Sequence, residues 1–380
     1  MKILKINDFV SERMKFRPVT NTEWKEAQNK LGKYNYFPKT KDELRHIIAE
    51  RMKKEGNECN LNDIYTGNIT DMSALFIDRL DLDAHLYRFN GNISEWDVSN
   101  VEDMNYMFTN SEFNGDISKW NVSNVKTMQR MFFGAHSFNG NISNWDVSKV
   151  TNMKEMFNGA IKFNWDISGW NVSNVTNMSH MFHDAKSFNQ PIGKWGEKTS
   201  KVTDMSCMFY NAESFDCDIS NWNVSNVTNM GSMFRIAYAF NKPLYKWGDQ
   251  LSKVTNMGGM FIGAKSFNQP IDNWDVSKVE DMCYMFDSAE SFDKDISDWN
   301  VSNVTNMEGM FSDATSFNQP IGKWGEKTAK VTNMESMFNG ASNFDQDLSK
   351  WNVSSVTDHK KIFYKSGMMA KRNKHPQWNQ

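Results

Sequence analysis

Histidine, cysteine and aspartate are the residues of this 380-residue chain whose chemistry could hold a metal. His180 and His183 stand three apart in His180-Met181-Phe182-His183. Two imidazoles without a third ligand do not make a metal centre. Cys207 and Cys217 lie ten apart and Cys59 and Cys283 are remote from both, so no zinc spacing results and all four read as free thiols. Asp116, Asp166, Asp218, Asp295 and Asp347 recur in one turn, which suggests calcium. Other copies place Pro191, Pro243, Pro270 and Pro320 there, which favours a structural turn. Many Asn-Val-Ser triplets match a glycosylation acceptor but are repeat residues. There is no nucleophile elbow, phosphate loop or zincin motif. The expectation is a protein that is not an enzyme, with no catalytic residue, cofactor or metal.

Aromatic chemistry is abundant: 14 Trp and 27 Phe, beside 26 Met. Eleven tryptophans (96, 120, 145, 170, 195, 222, 247, 274, 299, 324 and 351) occupy one repeat position. Such a row invites a sugar platform, but its register with Val and Ile favours a core stack. The methionine row reads as packing on the same grounds. Variable positions are the better place for a ligand. These are Lys119, Asn144, Gly169, Lys194, Asn221, Lys246, Asn273, Asp298, Lys323 and Lys350, each just before a repeat tryptophan. Trp165 stands in a turn where other copies carry small or polar residues, so it should be exposed on the rim as a candidate contact.

The elements that position these residues follow from a repeat. Met-x-x-Met-Phe recurs with its first methionine at 104, 128, 153, 178, 205, 230, 257, 282, 307 and 334, and worn copies start at Met72 and His359. Met153, Met156, Phe157, Ala160 and Phe163 have the spacing of one helix face. Asp, Asn or Thr precedes the first apolar position in all twelve copies, which predicts a helix N-cap. Ile167, Trp170, Val172 and Val175 then predict a short strand. Stacked units make an α/β solenoid of about 25-residue repeats, parallel strands concave and short helices convex, because helices need more room per layer than strands. The residues after each tryptophan, such as Asn121 and Asn171, should stack and bond up the ladder. Leu80 to Tyr87 lengthens one copy and should bulge as a loop.

The unit Phe-Asn-x-Asp-Ile-Ser-x-Trp-Asn-Val-Ser-Asn-Val-Thr-Asn-Met-x-x-Met-Phe-x-x-Ala resembles the bacterial surface-protein repeat of about 26 residues. That repeat is grouped with the BspA-like leucine-rich-repeat surface proteins, once catalogued as a mycoplasma family of unknown function. The likeness covers roughly residues 59 to 364, and Ile-x-x-Trp-x-Val is similar to the leucine-rich strand signature. It implies a non-enzymatic surface protein used in adhesion or recognition.

The chain divides into an N-terminal arm at 1–39 that could serve attachment, a capping helix at 40–58, the solenoid at 59–364 and a basic tail at 365–380. Within the arm, Thr22 to Leu31 could form a short helix. Thr40 and Glu43 have capping-box spacing, Gly56 is a stop, and Leu61 to Thr66 occupies the Ile-x-x-Trp-x-Val slot. Residues 1–60 carry 14 basic and nine acidic side chains and residues 360–380 six basic and none acidic, while the array between is acidic. Basic ends could dock on a negative partner, or be ordinary solvated termini. The near-neutral total of −3 argues against nucleic acid, and no apolar run is long enough to span a membrane. The opening Met1-Lys2-Ile3-Leu4-Lys5 is not a signal peptide and no lipid anchor is visible, so a cytoplasmic or virion-associated protein is expected rather than a secreted one. Two functions fit: recognition or adhesion on a protein or glycan, and a structural or decoration component of a larger particle such as a phage virion. Ser11 to Thr20 faintly resembles the openings of gut-phage proteins.

Overall fold

The computed structural model describes residues 31–78 and 85–378. The segment expected as a short helix at Thr22 to Leu31, apart from the buried Leu31, and most of the predicted Leu80 to Tyr87 bulge lie outside them, although Leu86 is buried. The array is a repeat solenoid in which successive coils pair in parallel. The residue before each leading methionine forms a bridge to its equivalent one coil away, from Asp71↔Asp103 through Asn152↔Asn177 to Asn333↔Asp358.

The Met-x-x-Met-Phe segment is not a helix. Its backbone N–H groups are divided between two uses. In one coil Met153, Glu155, Phe157 and Gly159 donate to Asn177, Ser179, Met181 and His183 of the next, at 2.7–3.1 Å. The alternating Met156, Asn158 and Ala160 donate three residues back, to Met153, Glu155 and Phe157. Every donor of the segment is therefore satisfied, half of it by a neighbour that a lone helix would not need. Two residues per coil take the left-handed conformation to allow this, Glu155 (φ 56°) and Gly159 (φ 72°) being the pair here. The first and third turns have positive φ at their second central residue, the geometry of a type II turn. Met153, Met156, Phe157, Ala160 and Phe163 are all buried, so the expected buried face is present on a different backbone.

The predicted N-caps keep an acceptor role without a helix. Asn152 Oδ1 accepts the Lys154 N–H at 2.9 Å and Asn229 Oδ1 that of Gly231 at 3.0 Å, each two residues on rather than one helical turn in. Thr127 is an exception, because Asn105 Oδ1 takes both its hydroxyl and the Gln129 N–H. Among the described residues no extended strand replaces the helices: the parallel pairing is confined to single bridges, and Val175 N–H turns back to Val172. With helices absent from the repeats, the unequal layer spacing that predicted curvature is gone. Rows on different sides of the coil step by similar amounts, 5.7 Å for Phe157–Phe182, 5.9 Å for Phe163–Phe188 and 6.4 Å for Trp120–Trp145.

The tryptophan row is core. Trp170 is 1% exposed and its indole N–H donates to Ile142 O of the preceding coil at 3.1 Å. The same bond recurs from Trp96 on Leu61 to Trp351 on Ile321. Leu61 thus fills the isoleucine slot expected of it. Coils of 27 residues house their two extra residues just after the tryptophan, in 3₁₀ turns at Ile192–Thr199, Tyr245–Leu251 and Ile321–Thr328. Thr199 there replaces the valine, fully buried with its hydroxyl on Gly196 O and Asn223 O.

Both ends are closed. Helix α1 (Lys41–Glu55) starts at Thr40, whose Oγ1 accepts the Glu43 N–H while Glu43 accepts that of Lys39, and Gly56 stops it. Leu44, Ile47, Ile48 and Met52 pack on the first coil. Arg45 is buried and donates to the carbonyls of Ala74, Leu75 and Ile77. At the other end the basic tail folds back: Met368 is buried, and Lys371 and Lys374 pair with Asp345.

Two consequences are measurable by hydrogen exchange. Trp170→Ala should destabilise its coil and neighbours by about 3–5 kcal/mol, whereas Trp170→Phe should cost only about 1 kcal/mol for the lost inter-coil bond, because the Ile142 carbonyl keeps the Trp145 N–H. Gly159→Ala, at a left-handed residue whose added Cβ would stand 3.3 Å from Gly134 Cα, should cost about 1–2 kcal/mol. Gly169→Ala, with open space around it, should change stability by less than about 0.5 kcal/mol.

Candidate recognition surface

Ile167 and Trp170 point inward, and the residue between them just before the tryptophan points out. Lys119, Asn144, Lys194, Asn221, Lys246, Asp298, Lys323 and Lys350 are accordingly all exposed. Coil stacking brings them into one row: Lys246 Nζ donates to Asn221 Oδ1 at 2.6 Å, and Lys323 lies 3.7 Å from Asp298. Gly169 and Asn273 complete it, Asn273 being tied to Tyr245 O. With Glu95 before Trp96 the row has eleven positions, of which five are lysine and two acidic, so a stripe of net positive charge runs over an array that is acidic as a whole.

Trp165 is 39% exposed, yet its indole N–H donates to Asn139 O of the preceding coil at 2.5 Å. It is both rim surface and tether. Tyr245, half exposed, was missed by sequence reasoning: it fills a slot that reads mostly Ser or Gly in other coils, directly beside Lys246. That mismatch was the available signal.

Other candidates resolve into structure. Asp116, Asp166, Asp218, Asp295 and Asp347 each accept a serine N–H two residues on, a turn-stabilising bond. Hydrogen bonds to Ser118 hold the Asp116 carboxyl below its usual range. His180 and His183 are 5.7 Å apart, and burial holds both below the ordinary imidazole range. Among the described residues no cluster of three or more His, Cys, Asp or Glu could hold a metal. The four thiols are free, and burial pushes Cys59 up to about 11 and, with Asp281 beside it, Cys283 to about 12.

The residues after each tryptophan do not bond up the stack as a row. Asn121 and Asn171 instead accept from Ser123 and Ser173. The continuous ladder lies at Phe-Asn: Asn114 Oδ1 accepts the Asn139 N–H, Asn139 that of Asn164 and Asn164 that of Asn189, through Asn318 to Asp345. A recurrent asparagine behind a buried phenylalanine was legible but unread.

Turns laddered coil on coil, with buried aromatic rows and an exposed variable row, define a repeat protein. The chain belongs to the family described as "Mycoplasma protein of unknown function, DUF285", whose model matches residues 48–148, 110–199, 136–247, 196–274, 249–328 and 326–380. No curated protein matches it. Among the described residues no helix is long and apolar enough to cross a membrane.

Trp165→Ala should lower local stability by about 1 kcal/mol, the worth of its single hydrogen bond, and weaken whatever complex the protein forms. Thermal unfolding several degrees lower with binding intact would make Trp165 packing alone.

Proposed function

We propose that the chain is a non-enzymatic recognition protein. Its rigid repeat scaffold presents Lys119, Asn144, Lys194, Asn221, Lys246, Asp298, Lys323 and Lys350, flanked by Trp165 and Tyr245, to a protein or glycan. The observation that carries this reading is the split between positions. Inward slots repeat the same few residue types with their side chains buried, while this exposed row changes from coil to coil. Solenoids use such laterally extended surfaces for binding. The likeness to BspA-like surface repeats supports an adhesive role. A second reading, a decoration component of a particle such as a phage virion attached through residues 1–39, is supported by the excess of basic side chains over residues 1–60 and by the phage-like Ser11 to Thr20.

The purified chain is tested on a glycan array and on cell-envelope and particle fractions of its source. Saturable binding is expected, reduced at least tenfold when Lys194, Lys246, Lys323 and Lys350 are all changed to Glu. Undiminished binding by that variant removes the row as the contact. Retention on particles through residues 1–39 alone favours the second reading, and binding to none of the targets overturns both.

A further inference from the structure

Most coils carry a side chain with reach at one or both of the first two positions after the leading methionine, as at Lys154 and Glu155 or Cys283 and Tyr284. Two adjacent coils instead carry Gly231, Ser232, Gly258 and Gly259. A cavity of about 310 Å³ opens over them, lined among others by Asn229, Asn256, Asp281, Arg235, Ile262 and Tyr284. Its size falls at the lower end of small-molecule sites.

The polar groups of this trough lack partners that equivalent groups have in some other coils, although the Asn177 and Asn306 amides also meet none among the described residues. The Asn152 amide nitrogen donates to Gln129 Oε1 at 3.2 Å and that of Asn333 to Glu308 Oε2 at 3.0 Å. Both acceptors sit one residue after a methionine in the preceding coil. Ser206 and Gly231 hold that place before Asn229 and Asn256, whose side-chain oxygens are engaged but whose amide nitrogens meet no acceptor among the described residues. Arg130 lies over Tyr106 and pairs with Glu155 at 2.7 and 3.0 Å. Arg235 lies similarly over Tyr210, 5.2 Å from the ring, but its Nε is buried without a hydrogen-bond partner. At the other end, Asp281 Oδ1 accepts the Cys283 N–H, while Oδ2 is 3.2 Å from where a Gly258 Cβ would stand and so borders the space the glycine leaves.

We propose that this trough binds a short zwitterionic peptide, its carboxylate on Arg235 and the Asn229 amide, a backbone carbonyl on the Asn256 amide between them, and its ammonium at Asp281. A guanidinium and amide donors select a carboxylate, and Asp281 disfavours a second negative charge at the far end. Asn229 and Asp281 hold the same place in coils two apart, about 10 Å at the roughly 4.8 Å spacing of paired backbones, which an extended chain covers in about three residues. The site is independent of the basic row before the tryptophans.

The test is a methyl NMR titration of the whole chain, reading Ile262, with triglycine as the probe beside its C-amidated and N-acetylated forms. Saturable shifts are expected with triglycine, and binding weaker by at least tenfold with either blocked form. Arg235→Gln should give the same loss. Gly231→Gln should abolish binding while leaving the fold intact, because Gln129 occupies the equivalent place and its side chain serves Asn152. Should Arg235→Gln fail to fold, Gly231→Gln and the blocked peptides decide the matter. No saturable shift up to roughly 10 mM, equal binding of the blocked forms, or unchanged binding by Gly231→Gln overturns the proposal.

Discussion

The structure depends on how the Met-x-x-Met-Phe segment spends its backbone donors. A helix would satisfy them within itself and leave coils to touch through side chains alone. Here every second N–H crosses to the next coil, so a unit's local structure is incomplete until a neighbour is docked. The cost is two left-handed residues per coil, many of them not glycine, such as Glu155 and Arg130. Each costs on the order of 1–2 kcal/mol, which the inter-coil bonds and the burial of Met and Phe must offset.

The aromatic rows follow from that backbone. Coils held a peptide's spacing apart bring equivalent rings to 5.7 Å in the Phe157 row, close enough for offset stacking. The tryptophan adds a polar function to a buried position, because its indole N–H joins the Trp145 N–H on the Ile142 carbonyl and so bonds one coil to the next. A large aromatic with one donor thus both fills the space and ties neighbouring coils, where leucine would fill space alone. The Phe-Asn ladder does the same at another corner, with a side-chain oxygen receiving a backbone N–H. Where a coil is longer, the extra residues appear just past the tryptophan, and the Thr199 hydroxyl bonds Gly196 O and Asn223 O there.

Much of this was legible in the residues. The period, the buried identity of Met153, Phe157 and Trp170, the outward row and the capping helix with Thr40 and Gly56 all follow from spacing and type. The backbone of the Met-x-x-Met-Phe segment was misread, for a physical reason. Apolar residues at i, i+3, i+4 and i+7 face one way in a helix, and they also do so in successive three-residue turns. The discriminating signal was Gly, Asn or Asp just before the repeat alanine, at Asn110, Gly134, Gly159, Asp184 and Asn211, all now found at positive φ. Mid-helix placement of such residues is unfavourable and a type II turn wants them. The trough at Gly231 and Gly258 escaped notice because it is made of absences, visible only once the neighbouring coils show what belongs there.

The sameness of the coils has a consequence for how the chain finds its pairing. Ser187–Thr199 and Ser316–Thr328 are identical over their whole length, and many other stretches differ by one or two residues. An interior unit carries almost no address: any coil offers nearly the same docking edge to any other. Skipped or doubled registers therefore lie close in energy to the correct one as long as only interior coils have met. The two ends differ, since Arg45 donates to the carbonyls of Ala74, Leu75 and Ile77 beneath α1, and Lys371 and Lys374 are matched to Asp345. The non-repeating caps thus act as the bookends that number the volumes between them.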